Sequence, residues 1–142
     1  METIQNTSIL VHTVINAPIE KIWKCLITPE DIVKWNAASA DWHTTSAVND
    51  LQVGGKFSYR MEAKDGSFGF DFEGIYDSIT PKELIEYTLG DNRKVKIELR
   101  KVGHAVKVEE VFEAENENPI ELQRTGWQAI LDNFKEHVEQ IN

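Results

Sequence analysis

Apolar and polar residues alternate from Ser8 to Asn16 in the run SILVHTVIN, with Ile9, Val11, Thr13 and Ile15 on one face. The period of two and the β-branched content predict a first strand. After Asn16 and Ala17 the period lengthens. Ile19, Ile22, Trp23, Leu26 and Ile27 form the apolar stripe of a helix, and Pro18 suits its first turn because the missing N–H would have no helical partner there. Thr28-Pro29-Glu30-Asp31 restarts a second short helix, with Thr28 as N-cap, Pro29 at the first helical position and an acid in the first turn; Trp35 stands near its end.

From Asp41 to about Thr80 the period returns to two, punctuated by turn signals at Asn49-Asp50, Gly54-Gly55 and Asp65-Gly66. Phe57, Tyr59 and Met61 alternate with Ser58, Arg60 and Glu62. After the turn at Lys64-Asp65-Gly66-Ser67, Phe68, Phe70, Phe72, Gly74 and Tyr76 alternate with Asp71 and Glu73, which makes a hairpin with one aromatic face. Thr80-Pro81 ends it, and three further strands are predicted at Leu84 to Leu89, Lys94 to Val102 and Ala105 to Glu113, separated by Asp91-Asn92 and Gly103-His104. In the middle one Val95, Ile97 and Leu99 oppose Lys96, Glu98 and Arg100, as expected of a sheet with one face in water.

Asn118-Pro119-Ile120-Glu121 opens the last element with an N-cap, a proline at the first position and an acid that completes a capping-box arrangement. From Pro119 to about Gln140 this helix would run about 33 Å at about 1.5 Å per residue, enough to span a domain. Trp127, Ile130, Leu131, Phe134, Val138 and Ile141 make its apolar stripe, while Gln128, Asp132, Lys135, Glu136 and Glu139 face water. Without repeats, low-complexity tracts or linkers, residues 1–142 are expected to form a single α+β domain.

Composition narrows the function classes. The formal net charge of −9 would repel a phosphate backbone, and the 15 lysines and arginines are scattered among acids, so nucleic acid is not an expected partner. Cys25 is the only cysteine, which leaves no disulfide and no paired-cysteine metal or redox motif. No apolar run approaches the roughly 20 residues of a membrane span, and the polar opening residues Met1 to Thr7, with Glu2 among them, are unlike a secretory leader; the expected compartment is the cytoplasm.

The order of strand, two short helices, a long antiparallel run and a terminal helix resembles that of the START-like (SRPBCC) superfamily. Within it, APIEKIWKCLITPEDIVKW, DLQVGGKFSYRMEAKDGSFGFDFEG and ELQRTGWQAILDNF are similar to the single-domain bacterial relatives of the activator of Hsp90 ATPase, which are grouped with polyketide cyclase-like proteins. Pro18, Trp23, Pro29, Trp35, Gly54-Gly55, Gly74 and Gly126-Trp127 carry the resemblance, which spans about Ile9 to Val138. It implies a helix-grip fold, a curved antiparallel sheet around the C-terminal helix, with a hydrophobic cavity between them. Superfamily members bind lipids, sterols, hormones or polyketides, and some cyclise or hydrolyse their ligands in the same cavity. The eukaryotic cochaperone carries an additional N-terminal domain, for which this chain leaves no room before its first strand.

The candidate chemistry is sparse. His12, His43, His104 and His137 form no metal-binding spacing, so no metal or cofactor is expected; His104 beside a turn glycine and His137 on a polar helix flank are expected at the surface. Gly54-Gly55 reads as a turn, Asp65-Gly66 lacks the oxygen series of a calcium loop, and Cys25 reads as a packed thiol. The aromatic face of Phe57, Tyr59, Met61, Phe70, Phe72, Tyr76, Tyr87 and Trp127 suits either a filled core or the wall of a ligand cavity, and the resemblance favours the cavity. Leu131 and Phe134 would close it from the helix side. Trp23 is assigned to the core, whereas Trp35 and Trp42 flank an irregular segment of small residues, Asn36 to Asp41, and would either join the core or gate or line the opening.

One polar residue breaks the pattern: Glu110 shares a face with Val106, Val108 and Phe112 in the last strand. An inward carboxyl would hold its proton to higher pH and serve as a ligand anchor or a general acid/base; a bulge turning it outward is the alternative. His43 and Arg60 are its candidate partners, although alternation points Arg60 to the wet face, opposite Asp71. Three readings follow: a binder of a hydrophobic or amphipathic small molecule, a cyclase- or hydrolase-type enzyme using Glu110 with His43, and an interaction protein in contact with an Hsp90-type chaperone.

Overall fold

The computed structural model of the chain describes residues 7–141. Most of the polar opening segment read above as unlike a leader, residues 1–6, and Asn142 lie outside the described residues. The elements follow in the expected order: β1 (Ser8–Ile15), α1 (Ile19–Ile27), α2 (Pro29–Trp35), β2 (Trp42–Asn49), β3 (Lys56–Ala63), β4 (Gly69–Thr80), β5 (Leu84–Leu89), β6 (Lys94–Val102), β7 (Ala105–Glu113) and α3 (Ile120–Gln140). Successive hairpins join β2 to β7, and β1 pairs antiparallel with β7, so the seven-stranded sheet runs β1-β7-β6-β5-β4-β3-β2.

The sheet curves around α3, as a helix-grip fold requires. Register shifts between Thr44 and Ser46 in β2 and between Tyr76 and Ser78 in β4 insert bulges, which bend a strand and increase its twist. Gly74 adds a second device. It sits opposite Phe57 in the ladder, and a Cβ there would come 2.8 Å from the Phe57 ring and 2.7 Å from the Thr88 carbonyl oxygen, so only glycine lets that ring lie on the strand.

The start of α2 falls where expected, with Pro29 in its first turn, whereas the start of α3 needs correction. Thr28 occupies the N-cap position of α2 but makes no side-chain capping bond. At α3 the cap position falls to Pro119, because Asn118 is drawn away: its side chain and backbone N–H both donate to the Glu115 carboxylate, which also accepts the N–H of Glu117 at 3.1 Å. Gln123 completes the connection, its amide donating to the carbonyls of Glu115 and Asn118 at 3.1 and 2.8 Å. The capping box is replaced by a carboxylate-centred turn that fixes where α3 enters.

One end of the core is closed where α3 meets β1, α1 and α2. Leu131, Phe134 and Val138 of α3 are buried with Ile9, Val11 and Ile15 of β1 and with Ile22, Trp23 and Cys25 of α1. Trp35 closes this region edge-on to Phe134, with ring centroids 4.8 Å apart and its indole N–H on the Cys25 carbonyl at 2.9 Å.

Candidate functional site

Beneath the N-terminal half of α3 a cavity of about 600 Å³ opens between the helix and strands β3 to β7. Its floor is a group of rings on alternate positions of neighbouring strands: Phe57 lies 5.1 Å from Tyr59, 5.3 Å from Tyr76 and 4.8 Å from Tyr87. Trp127 forms the roof, one face stacked on Phe112 at 3.9 Å and 9°, its edge 6.0 Å from Phe72. Met61, Ile85, Ile97, Leu26 and Ile130 fill the remaining apolar wall.

The polar groups of the interior are few. Tyr76 donates its hydroxyl to Asn49 Oδ1, and Asn49 donates in turn to the Ile27 carbonyl at 2.8 Å, which ties the floor to the end of α1. Burial pushes the Tyr76 phenol up to about 12. Burial, and next the adjacent Tyr76, hold Tyr59 well above its ordinary value; burial, and next the Glu110 carboxylate, do the same for Tyr87. All three hydroxyls therefore keep their protons at neutral pH.

Glu110 enters this cavity from β7, on the face shared with Val106, Val108 and Phe112, and the ladder with Ile97 continues through it without a bulge. Desolvation pushes its carboxyl up to about 7. No hydrogen bond or ion pair from a described residue reaches its side chain, yet no buried polar side-chain atom among the described residues is left sealed and unpartnered. The two facts agree because its open side is the cavity.

The mouth lies where exposed residues join the lining: Phe68 and Phe70 at the tip of the β3–β4 hairpin, Asp91 in the β5–β6 turn beside the half-buried Arg93, and Glu117 and Asn118 before α3. Trp42 packs edge-on against Phe68 and Phe70 at 6.1 and 6.0 Å, extending the aromatic rim without lining the cavity.

Of the candidates taken from sequence, Trp35, Phe57, Tyr59, Met61, Phe70, Phe72, Tyr76, Tyr87, Glu110 and Trp127 line the cavity. His43 does not. On β2 it stands opposite Glu62 of β3 and is exposed, because its neighbour Thr44 takes the inward position and bonds to Asn36. Leu131 and Phe134 belong to the packed core beyond the cavity, since they meet β1 and α2 rather than the aromatic floor. The segment from Asn36 is not a loose gate: the Asn36–Thr44 bonds and a bond from Asn133 to the Ala37 carbonyl pin it. Arg60 faces outward, 2.9 Å from Glu62 and 3.5 Å from Asp71.

Sequence reading missed Gln123 and the charged mouth, Asp91, Arg93, Glu115 and Glu117. Gln123 lies one turn before Trp127 on the same stripe, a signal that its polarity obscured. The charged residues sit in turns whose placement depends on the tertiary fold. His137 is also a correction: expected in solvent, it is largely buried, its Nε2 2.9 Å from Asp31 Oδ1, because the end of α3 packs onto α2. Cys25, Asp31 and His137 have ligand-type atoms within 4.8 Å of one another, a cluster assembled from residues far apart in sequence and outside the cavity. Desolvation, with Asp31 next, pushes the Cys25 thiol up, consistent with a packed side chain.

The comparisons with known proteins match this geometry. The sequence profile of the Activator of Hsp90 ATPase homolog 1-like proteins matches residues 16–139. The solution structure of an AHSA1-like protein from Aeromonas hydrophila is 41% identical over 94% of this chain and 92% of that one, with a TM-score of 0.88. A solution structure from Cytophaga hutchinsonii is 47% identical over 94% and 92%, with a TM-score of 0.80. The Aha1 dimer from Colwellia psychrerythraea, 17% identical over 94% and 97% with a TM-score of 0.74, shares the fold. Among curated proteins none matches this sequence. No helix among the described residues is long and apolar enough to cross a membrane.

Proposed function

This chain belongs to the Activator of Hsp90 ATPase homolog 1-like family, and on that premise we propose that it binds a hydrophobic or amphipathic small molecule in the cavity beneath α3. The observation that carries the reading is the open volume itself. Protein interiors normally fill to crystal-like density, yet about 600 Å³ remains beneath Trp127, a volume in the range of small-molecule sites. The inner walls are apolar and aromatic with one carboxyl, Glu110, set among them, while the other lining acids, Asp91, Glu115 and Glu117, lie toward the mouth; such a composition holds a ligand's body and orients one polar end.

An acid/base enzyme would need a partner positioned to pass protons with Glu110, and His43 is turned to the outer face of β2. Binding is therefore the more economical role for this carboxyl. The chaperone-linked reading asks for a continuous apolar patch on the outer face of the sheet, whereas the exposed Leu10 and Val14 on β1 are separated from Ile75 on β4 by β7, β6 and β5, and the exposed Phe68 and Phe70 belong to the rim of the cavity.

The test is a titration with the neutral apolar fluorophore 1-N-phenylnaphthylamine. One saturable site, displaced by fatty or aromatic competitors and weakened by Phe72→Asp at retained fold, is expected. Non-saturable or absent binding to the folded protein would contradict the proposal.

A further inference from the structure

Resting on that reading, we infer that the cavity selects an amphipathic cation: a protonated amine carried on an apolar or aromatic body, its nitrogen on the Glu110 carboxylate and its body beneath Trp127. Three features converge on this class.

The first is the lone carboxyl. Glu110 stands inside the cavity with no hydrogen bond or ion pair from any described residue, so its binding capacity is open to a guest. An ammonium supplies both a counter-charge and N–H donors, forming a charge-assisted bond that a neutral alcohol forms more weakly. A carboxylate guest would be repelled. The raised carboxyl pKa agrees, since an uncompensated charge is what the site lacks.

The second feature is the surrounding rings. Phe57, Tyr59, Tyr87 and Trp127 all border the same cavity as the carboxyl. Aromatic faces attract a cation through their quadrupole and bury an apolar skeleton equally well. Aliphatic walls of the same volume would offer only the second.

The third is the charge at the mouth. Asp91, Glu115 and Glu117 join the lining there, and Arg93 is the one cation among the described lining residues. Its guanidinium is engaged by Asp91 at 2.7 Å and by the Glu113 carbonyl at 3.3 Å, so no free positive group guards the entrance. With a net charge of −9 on the chain, cations are favoured on approach and anions are not.

The test uses three ligands of one skeleton, 2-(2-naphthyl)ethylamine, 2-(2-naphthyl)ethanol and 2-naphthylacetate, each displacing 1-N-phenylnaphthylamine from the wild-type protein at about pH 8, where Glu110 is ionised. The amine is expected to bind at least about tenfold more tightly than the alcohol, and the carboxylate more weakly than both. In Glu110→Gln the ratio of amine to alcohol affinity should fall several-fold toward one, because the amide keeps the shape and removes the charge while the rings and the acidic mouth remain. An alcohol or carboxylate that matches the amine in the wild type overturns the cation preference while leaving the cavity reading intact, as does failure of all three where the fluorophore still binds. An amine advantage that survives undiminished in Glu110→Gln overturns the assigned contact. If the fluorophore also fails to bind, the cavity reading falls and the cation preference with it.

Discussion

The two halves of α3 have different relations to the same sheet. Toward its C-terminus, Leu131, Phe134 and Val138 are sealed against β1, α1 and α2, with Phe134 and Val138 at 1% and 0% exposure. Toward its N-terminus, Gln123, Trp127 and Ile130 face a void floored by Phe57, Tyr59 and Tyr87. A helix of one amphipathic pattern thus serves as a core element at one end and a roof at the other. The filled half supplies the stability that lets the other half remain open, since a cavity forgoes the dispersion and hydrophobic gains of contact.

The largest effect expected from breaking this division is in the filled half. Phe134→Ala should cost about 3–5 kcal/mol in urea unfolding, the usual range for a buried phenylalanine. Trp127→Ala removes a larger side chain, but one that already borders empty space, and should cost less, about 2 kcal/mol. Equal costs at the two positions would mean that the halves are packed alike.

A second test uses pH on the hollow half. Glu110 has its carboxyl raised from an ordinary value of 4.5 to about 7, so between those values the folded state binds more protons than the unfolded one. Stability from this group is fully present below about 4.5 and is lost as pH rises to about 7. At about 1.4 kcal/mol per tenfold change in proton affinity the loss approaches roughly 3 kcal/mol, reduced to about 2 because the carboxyl's open side is partly solvated. Glu110→Gln should therefore be more stable than wild type at about pH 8 by about 2 kcal/mol and converge with it near pH 4.5. A constant difference across that range would show that Glu110 is not desolvated.

The smallest effect lies at the boundary between the halves. Gly126 sits within α3 with open space where a Cβ would go. Gly126→Ala should raise stability by about 0.5–1 kcal/mol through helix propensity alone. A loss would show that the roof needs local freedom at this position.

The fold was legible because its signals are local. The strand alternations at Phe57–Tyr59–Met61 and Val95–Ile97–Leu99, and the stripe from Trp127 to Val138, carry their periods in short windows. Glu110 was legible for the same reason, as a polar residue at an inward position of a regular strand. His43 was misplaced because the bulge after Thr44 and the Asn36–Thr44 bonds decide which side of β2 faces in, and neither has a reliable local signature. The Asp31–His137 contact spans 106 residues and exists only once α3 docks on α2. The division between Trp127 and Phe134 could not be read either, since both are large apolar residues about two turns apart on the same stripe, and only the folded packing tells roof from core.

Residue-resolved NMR titration of the wild-type protein with 1-N-phenylnaphthylamine tests most directly whether the hollow half is a binding site. Saturable shift changes should appear at Tyr59, Phe72, Tyr87, Glu110 and Trp127, with Leu131, Phe134 and Val138 nearly unmoved. Changes scattered over the surface, or none at ligand concentrations up to about 1 mM, where even a weak specific site is half occupied, would contradict it.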